Sequence, residues 1–175
     1  EAVHILSTFV PQGTEVVSMR GRIPGSDATF RTRNTPLDTE IPVAVLIDGA
    51  SASAAEIVAG ALQDLDRAVL VGRRTFGKGL VQSTRPLGYN ACLKVTTAKY
   101  FIPSGRCIQA LDYTRRDENG DVAPVPDSLV REYATAAGRK VYDGGGIAPD
   151  VPTRTPPVSA FAVRLYADGH IEDFA

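Results

Sequence analysis

The sequence predicts an α/β fold, because a strand, a helix and a second strand follow one another directly. Residues 42–48 (PVAVLID) and 67–72 (RAVLVG) are apolar runs rich in β-branched side chains, typical of strands buried on both faces. Between them, residues 52–65 place apolar side chains at intervals of three and four, as a helix with one apolar face requires. Such a crossover makes its two strands parallel in nearly every known case. The length of 175 residues fits a single domain.

Further helices and strands are predicted around this unit. A helical stripe near the start of the chain is ended by Pro11, and a long strand near the middle turns back at residues 103–105. If that turn is a hairpin, Cys92 and Cys107 lie roughly 30 Å apart, so we expect no disulfide between them. The predicted elements are a helix at 2–10, strands at 15–20, 28–33, 80–84 and 91–102, a returning segment at 106–109, a tight loop at 143–146 and a helix at 159–168.

Ser53 and Lys78 are predicted to lie at the same edge of the sheet. The helix that begins near Ser53 descends roughly 20 Å at about 1.5 Å per residue, and the second strand climbs back a similar distance. Lys78 follows that strand in a loop, where it is flanked by Gly77 and Gly79. Open α/β sheets usually place their functional sites at this carboxyl edge of the strands.

A serine and a lysine at one edge indicate nucleophilic catalysis. A neutral lysine can accept the proton of a serine hydroxyl, whereas arginine stays charged. Burial without a carboxylate partner favours a neutral amine. We expect Lys78 to be desolvated, because its sequence neighbours Phe76, Leu80 and Val81 are apolar and no acidic residue occurs between Asp66 and Asp112. Gln82, four residues after Lys78, is a candidate hydrogen-bond partner for the amine. The amide of Ala54, at the helix N-terminus, is a candidate donor to a developing oxyanion.

A purely structural explanation exists for both residues. Ser53 and Glu56 have the spacing of a capping box, in which the serine caps a helix and the glutamate reaches back to it. Ser51 is a second candidate for the cap and would leave Ser53 free. Lys78 alone is equally typical of a solvated turn. The pairing of Ser53 with Lys78 favours catalysis over these explanations.

Nucleotide binding is an alternative from another functional class. Residues 72–79 (GRRTFGKG) nearly fit the phosphate-binding pattern G-x-x-x-x-G-K-[ST] and follow an apolar strand. However, Gly79 stands where that pattern needs a hydroxyl for magnesium. Residues 80–84 then continue as a strand, whereas a helix is needed under the phosphates. Nucleotide binding is therefore disfavoured.

Several segments resemble the catalytic domain of the carboxyl-terminal processing, or tail-specific, proteases. They are residues 51–64 (SASAAEIVAGALQD), 75–82 (TFGKGLVQ), 94–106 (KVTTAKYFIPSGR) and 144–151 (GGGIAPDV). The resemblance implies a Clp-protease/crotonase-like fold with a mixed sheet and packed helices. It implies a serine endopeptidase that cleaves polypeptides near their C-terminal regions through a Ser-Lys dyad and an acyl-enzyme. On the family pattern, Ser53 is the nucleophile, Lys78 the general base, Gln82 the glutamine that positions the lysine and Ala54 an oxyanion-hole amide.

The resemblance also predicts the domain organisation. Residues 1–175 are interpreted as a protease catalytic core that is a fragment of a longer protein. The family carries a Gly-Gly element, which completes the oxyanion hole, and a peptide-binding PDZ domain upstream of the helix that opens this chain. We expect both in the full-length protein. Residues 110–143 are an insertion relative to shorter relatives, and the sequence assigns them no role.

Composition and resemblance together define the expected partners. A net charge of −1 with scattered arginines gives no footprint for nucleic acid, and no apolar run approaches the ~20 residues of a membrane span. The resemblance implies polypeptide substrates, no cofactor, no metal, and a location in the periplasm or cell envelope. A noncatalytic module that binds peptides or apolar ligands is an alternative on the same fold, which retinoid-binding relatives share. The set of Ser53, Lys78 and Gln82 favours the enzyme.

Overall fold

The computed structural model describes residues 1–154 and 159–170 of the chain. All the predicted helices and strands are present, and Cys92 and Cys107 are free thiols, as expected. In chain order the elements are α1 (Ala2–Phe9), β1 (Glu15–Gly21), β2 (Ala28–Arg31), β3 (Ala44–Ile47), α2 (Ala54–Asp64), β4 (Val69–Gly72), β5 (Leu80–Gly88), β6 (Ala91–Phe101), β7 (Leu111–Arg116), β8 (Val122–Pro124), a 3₁₀ turn (Asp127–Leu129), β9 (Glu132–Ala134), β10 (Lys140–Tyr142), β11 (Val151–Pro152) and α3 (Ala160–Ala167).

The strands are arranged in a parallel sheet, an antiparallel sheet and two small hairpins. β3 and β4 are parallel neighbours, as the strand, helix, strand order predicted, and β11 pairs with the other side of β4. The antiparallel sheet has the order β2, β1, β6, β5. The loop that carries Lys78 therefore connects the parallel sheet to an edge strand of the antiparallel sheet. The predicted α/β class is confirmed, and in the described residues the two kinds of strand lie in separate sheets.

Helix α2 is the central element, and it contacts two hydrophobic clusters. The cluster between α1, β1 and α2 contains the buried residues Leu6, Val10, Val16, Val17, Ile57, Ala61, Leu62 and Ala68. The cluster between α2, β3, β4 and the segments after β6 contains Ile47, Ala59, Leu70, Ile102, Ile108 and Ile147. Gly60 permits this second contact, because a Cβ there would lie 2.7 Å from the side chains of Ile102 and Ile147. α2 is thus fixed from both sides.

One face of the parallel sheet is not covered by the described chain, so the prediction that both faces are buried is wrong for these residues. Ile47 and Leu70 are buried in the core, while their neighbours Leu46 and Val69 are 81% and 48% exposed. Val151 of β11 extends the same apolar face and is 49% exposed. Parallel sheets are normally buried on both faces. The apolar composition of β3 and β4 is typical of strands buried on both faces, but it does not indicate which segment would cover the exposed face.

The carboxyl-terminal end of α2 is held by ion pairs, which we call the distal charge cluster: Asp64, Asp66, Arg106, Arg139 and Asp150. Arg106 and Asp64 form a buried pair with 2.8 Å between nitrogen and oxygen, and their side chains are 2% and 0% exposed. Arg139 pairs with both Asp66 and Asp150. The cluster therefore joins the helix end to the turn after β6 and to the segment that leads into β11.

The predicted insertion, residues 110–143, contacts the carboxyl-terminal end of α2 and the lysine loop. Its β9–β10 hairpin lies at the distal charge cluster, where the Ala136 amide donates to the Asp64 carbonyl and the Ala137 amide to the Asp66 carboxylate. Its β7–β8 hairpin begins beside the lysine loop, where the Ala110 amide donates to the Gly77 carbonyl at 2.9 Å. The insertion is thus part of the domain's hydrogen-bonded framework.

Candidate active site

The turn before α2 is organised by Asp48, which follows β3. Its carboxylate accepts hydrogen bonds from the amides of Ala50 (2.9 Å) and Ser51 (3.1 Å), and the Ser51 hydroxyl accepts one from the Asp48 amide (3.1 Å). The Ala50 hydrogen bond, with smaller contributions from Ser51 and Arg73, holds the pKa of Asp48 below its ordinary value. Ser51 is therefore engaged with Asp48. The suggestion that Ser51 caps α2 is wrong, because Ser53 is the N-cap residue.

Ser53 has a backbone conformation that is rare for a serine. Its φ is 58° and its ψ is −114°, whereas N-cap residues normally lie in the β region. These angles match the first central position of a type II′ turn, where glycine dominates because a Cβ is strained. A residue held in this way costs on the order of 1–3 kcal/mol, and such residues cluster at active sites. A plain helix cap does not explain the strain, and strained strand-to-helix turns of this kind present the nucleophile in other enzymes.

Glu56 joins the start of α2 to the lysine loop. Its side chain is fully buried. It accepts hydrogen bonds from the amides of Ser53 (2.9 Å), Gly77 (2.7 Å) and Lys78 (2.8 Å) and from the Thr75 hydroxyl (2.5 Å). Ser53 and Glu56 have the reciprocal arrangement of a capping box. The Glu56 carboxylate accepts a hydrogen bond from the Ser53 amide, whereas the Ser53 side chain faces the Glu56 amide without forming a hydrogen bond. The predicted capping box is present, but Glu56 serves the loop as well as the helix.

The Glu56 carboxylate brings Ser53 and Lys78 together. One oxygen, Oε2, accepts from both amides, so the two amide nitrogens are at most about 5.7 Å apart, which is the sum of the two hydrogen-bond lengths. Ser53 and Lys78 therefore lie at one edge of the sheet, as the sequence predicted. Their catalytic roles stay predictions.

The Lys78 side chain is exposed, which contradicts the expectation that it is desolvated. Thr75, Gly77 and Gly79 are buried, but Phe76 is 57% exposed and does not enclose the amine. Among the described residues the Lys78 amine has no ion-pair or hydrogen-bond partner. The hydrogen bonds of the loop fix its main chain, and they leave the long side chain free to reach solvent. The apolar neighbours of Lys78 in the sequence therefore led to a wrong prediction that its amine is buried.

The two glycines beside Lys78 are required by close packing. A Cβ at Gly77 would lie 2.4 Å from the Ala110 Cβ, and a Cβ at Gly79 would lie 2.8 Å from the Gln109 amide nitrogen. Gly77 also has a φ of +85°, which favours glycine. The loop thus lies directly against the segment that returns from the turn after β6.

Ala54 is placed as its predicted role requires, but Gln82 is not hydrogen-bonded to Lys78 in the described residues. Gln82 lies on β5 opposite Thr96 of β6, is exposed, and makes no hydrogen bond to Lys78 within the described residues. Ala54 is the first residue of α2, and its amide has no acceptor in the described part of the chain. That amide is available to a bound oxyanion. The roles of Gln82 and Ala54 remain predictions.

Sequence reasoning missed Thr75 and the second role of Glu56. The Thr75 hydroxyl donates to Glu56 and accepts from the Ile147 amide at 2.7 Å, which ties the glycine loop at 144–146 to the site. The capping-box spacing marked Glu56 as a helix residue only. No spacing rule marks Thr75, because its contact with Glu56 crosses from a helix to a loop.

The residues around Lys78 do not form a phosphate-binding loop. β5 follows the lysine loop directly, so no helix begins under residues 72–79 as a phosphate-binding loop requires. Over residues 1–154 and 159–170, no group of three or more His, Cys, Asp or Glu side chains is arranged to hold a metal ion. In the same residues no helix is long and apolar enough to cross a membrane.

Comparisons with known proteins agree on the kind of protein that this chain resembles. The family model for peptidase family S41 matches residues 1–115. A carboxy-terminal-processing protease of Bartonella bacilliformis is 47% identical over 114 residues, which are 65% of this chain and 26% of that protein. A carboxyl-terminal-processing protease of a Picosynechococcus strain is 57% identical over 101 residues, 58% of this chain and 24% of that protein. The chain thus spans about a quarter of the length of these relatives.

A solved structure supports the same similarity. The photosystem II D1 C-terminal processing protease matches with a TM-score of 0.60 at 25% identity, over 87% of this chain and 30% of that one. A putative S41 protease of Bacteroides fragilis matches with a TM-score of 0.56 at 12% identity, over 99% of this chain and 41% of that one, which supports the fold alone.

Proposed function

The chain belongs to peptidase family S41, and we propose that its full-length protein is a serine endopeptidase that uses Ser53 as nucleophile and Lys78 as general base. The observation that carries this proposal is the shared hydrogen bonding of both residues to Glu56 Oε2, which keeps their amide nitrogens within about 5.7 Å. Main chains this close allow the Ser53 and Lys78 side chains to meet as a nucleophile and its base. The strained backbone of Ser53 supports the same assignment.

The proposed reaction forms an acyl-enzyme. Ser53 Oγ attacks the carbonyl carbon of the scissile peptide bond while the neutral Lys78 amine takes the hydroxyl proton. The Ala54 amide stabilises the oxyanion, together with a second amide from the Gly-Gly element expected upstream. The intermediate expels the amine half of the substrate, which receives the proton from Lys78. Water then attacks the ester on Ser53 and gives a proton to Lys78. Lys78 passes this proton to Ser53 Oγ as the ester bond breaks, so the second product leaves and the hydroxyl is restored.

Lys78 needs cover before it can act as a base, because water stabilises the charged form of an exposed amine. We propose that this cover comes from a bound polypeptide lying over the loop and from parts of the protein outside this chain. Gln82 is proposed to hold the amine in the covered state. Because Lys78 is exposed in this chain, we expect the chain by itself to be a poor enzyme.

The proposed substrates are unfolded or extended polypeptides that are cut near their C-terminal regions. This proposal rests on the relatives described above, which are carboxyl-terminal-processing proteases. A PDZ domain outside the chain is proposed to select substrate tails, and the proposed location is the periplasm or cell envelope. Fractionation of cells that express the tagged full-length protein tests the location, and recovery in the cytoplasmic fraction would contradict it.

The test of the dyad is proteolysis of an unfolded polypeptide by the full-length protein and by its Ser53→Ala, Lys78→Ala and Lys78→Arg variants. Each is expected to lose at least about 10⁴-fold in kcat, because a nucleophile and its base act as a unit. Lys140→Ala is the matched control, since Lys140 pairs with Glu132 on the β9–β10 hairpin. Cleavage retained by a folded Ser53→Ala or Lys78→Ala variant would overturn the proposal.

A noncatalytic peptide-binding or apolar-ligand-binding module is the second candidate, and the exposure of Lys78 is the observation that favours it. A serine-directed alkyl fluorophosphonate distinguishes the two functions. The enzyme is expected to be labelled at Ser53 in the full-length protein, and labelling is expected to slow sharply in Lys78→Ala. A module without an activated serine stays unlabelled, although it still binds peptide.

A further inference from the structure

We propose that Gln109 is a positioning residue for Lys78, which acts through the main chain of the lysine loop. The Gln109 side-chain oxygen accepts a hydrogen bond from the Gly79 amide at 2.9 Å, and its side-chain nitrogen donates to the Leu111 carbonyl at 3.1 Å. Gln109 is partly buried. This inference rests on the proposed function, in which Lys78 is the general base.

The main chain around Lys78 is held by side chains from outside the loop. Glu56 accepts the amides of Gly77 and Lys78, and Gln109 accepts the amide of Gly79. Three consecutive amides are therefore satisfied by two side chains, one from helix α2 and one from the segment before β7. Among the described residues, Gln109 is the acceptor of the Gly79 amide.

This arrangement matters because glycine flanks Lys78 on both sides. Glycine has more accessible backbone conformations than any other residue, so the loop has little stiffness of its own. Its path is set by the hydrogen bonds made to it and by the close contact of Gly79 with Gln109. Loss of the Gln109 acceptor would leave a buried amide unsatisfied, which favours rotation of the loop. Such a rotation would move the Cα of Lys78 and therefore its amine.

Gln109 also connects the lysine loop to the predicted insertion. Leu111, whose carbonyl accepts from the Gln109 amide group, is the first residue of β7. The Ala110 amide donates to the Gly77 carbonyl, and the Ala110 carbonyl accepts from the Val125 amide after β8. The base of the β7–β8 hairpin thus fixes the orientation of the Gln109 side chain. The hairpin contributes to the site by this route without contacting the substrate.

The experiment compares Gln109→Met and Gln63→Met in the full-length protein, with an unfolded polypeptide as substrate. Methionine has a similar length but cannot accept the Gly79 hydrogen bond. We expect Gln109→Met to lower kcat by about 10- to 100-fold, because a small misplacement of a catalytic group has an effect of this size, and to leave KM nearly unchanged. Gln63 is the matched control, since its side chain bridges Arg106, Ala148 and Asp150 at the other end of α2. Gln63→Met is expected to lower the thermal unfolding midpoint and to leave kcat unchanged.

A double-mutant cycle separates positioning from general destabilisation. The rate of Ser53 labelling by an alkyl fluorophosphonate is measured for Gln109→Met, Lys78→Ala and the double variant. If Gln109 acts through Lys78, the substitution slows labelling in the wild type and has no further effect in Lys78→Ala. Equal slowing in both backgrounds, an unchanged kcat in Gln109→Met, or a change in KM alone would each overturn the inference.

Failure of the proposed function gives a different result. In that case Lys78→Ala is itself active, whatever the behaviour of Gln109→Met. An inactive Lys78→Ala together with a fully active Gln109→Met would leave the Ser-Lys dyad in place and reject only the role of Gln109.

Discussion

The two ends of helix α2 each carry a buried acidic side chain, and the surrounding residues neutralise them in different ways. At the amino-terminal end, Glu56 accepts three main-chain amides and one hydroxyl, and no cation of the described residues pairs with it. At the carboxyl-terminal end, Asp64 pairs with the buried guanidinium of Arg106 at 2.8 Å and also accepts the Ser104 amide. The first end relies on dipoles of the main chain, and the second relies on an opposite charge.

This difference matches the roles that we propose for the two ends, a catalytic site at one and a scaffold at the other. An arginine beside Glu56 would neutralise the carboxylate, but it would place a permanent cation next to Lys78, our proposed general base. Amide donors stabilise the same carboxylate and also fix the main chain of Ser53 and Lys78. No lysine with a proposed role as a base lies at the carboxyl-terminal end of α2, so the ion pairs of the distal charge cluster can join distant segments there. Substitutions at each end test whether the two ends are independent in this sense.

The largest effect is expected from Glu56→Gln. The side-chain NH₂ group of glutamine cannot accept hydrogen bonds, so two of the four donors to Glu56 would face a group that only donates. Each buried donor left unsatisfied costs about 1–3 kcal/mol, so the free energy of unfolding should fall by about 2–6 kcal/mol. The kcat of the full-length protein should fall by at least about 100-fold, because the lysine loop is no longer fixed to α2. Urea unfolding and proteolysis measure the two effects.

Glu132→Gln is the control for Glu56→Gln, because Glu132 is an exposed residue that pairs with Lys140. This change is expected to leave both stability and kcat near the wild-type values. A stable, fully active Glu56→Gln protein would show that the carboxylate does not hold the site together.

A smaller effect, on stability alone, is expected from Arg106→Met. Removal of the guanidinium leaves the Asp64 carboxylate buried without its partner, which costs about 3–5 kcal/mol. The double variant Asp64→Leu with Arg106→Met should recover part of this loss, because no unpaired charge remains. Below the unfolding temperature, kcat should stay within about threefold of wild type. A loss of kcat as large as that of Glu56→Gln would show that the two ends are coupled.

Cys107 reports locally on the distal charge cluster. Burial raises the pKa of its thiol, so its reaction with a disulfide reagent should be slow, whereas the exposed Cys92 should react quickly. The Arg106→Met substitution, at the neighbouring residue, should accelerate the reaction of Cys107 specifically.

The smallest effect is expected at acidic pH. Burial alone would raise the pKa of Asp66, but hydrogen bonds from the Ala137 amide and the Arg139 guanidinium outweigh it and leave the pKa below its ordinary value. A group with a depressed folded-state pKa contributes stability above its unfolded pKa, about 3.9 for aspartate, and loses that contribution as pH falls through the folded pKa. The free energy of unfolding should therefore decline below about pH 4.

Asp66→Asn tests this assignment, since asparagine tolerates the φ of 52° at this position. Urea unfolding of both proteins between pH 6 and pH 3 measures the decline. Asp66→Asn should be less stable than wild type at pH 6, and the difference should shrink at pH 3. Parallel curves would show that Asp66 does not contribute to the acid sensitivity.

The parts of the fold that the sequence predicted are those set by short-range geometry. The β3–α2–β4 crossover has a clear hydrophobic pattern, and strand and helix rise alone return the chain to the edge where it started. That geometry was enough to place Ser53 beside Lys78. The capping-box spacing identified Glu56 for the same reason, because its contact with Ser53 lies within one helical turn.

The parts that the sequence did not predict depend on contacts between distant segments. Gln109 reaches Gly79, and Thr75 reaches Glu56, through single hydrogen bonds that leave no periodic trace in the sequence. The exposure of Lys78 was missed because apolar neighbours indicate burial of a loop's main chain and not of every side chain. The open face at Leu46 and Val69 was missed because a strand's composition does not specify what covers it.

The positive φ of Ser53 has an evolutionary consequence. Glycine suits a φ of 58° and a ψ of −114° better than any residue with a Cβ, so serine at this position carries a strain on the order of 1–3 kcal/mol. Selection for folding alone would therefore move the position toward glycine, and the serine persists only while its hydroxyl is selected. In a gene duplicate released from that selection, we expect this codon to change early, well before those of Asp64 and Arg106, because loss of either partner alone leaves a buried charge unpaired.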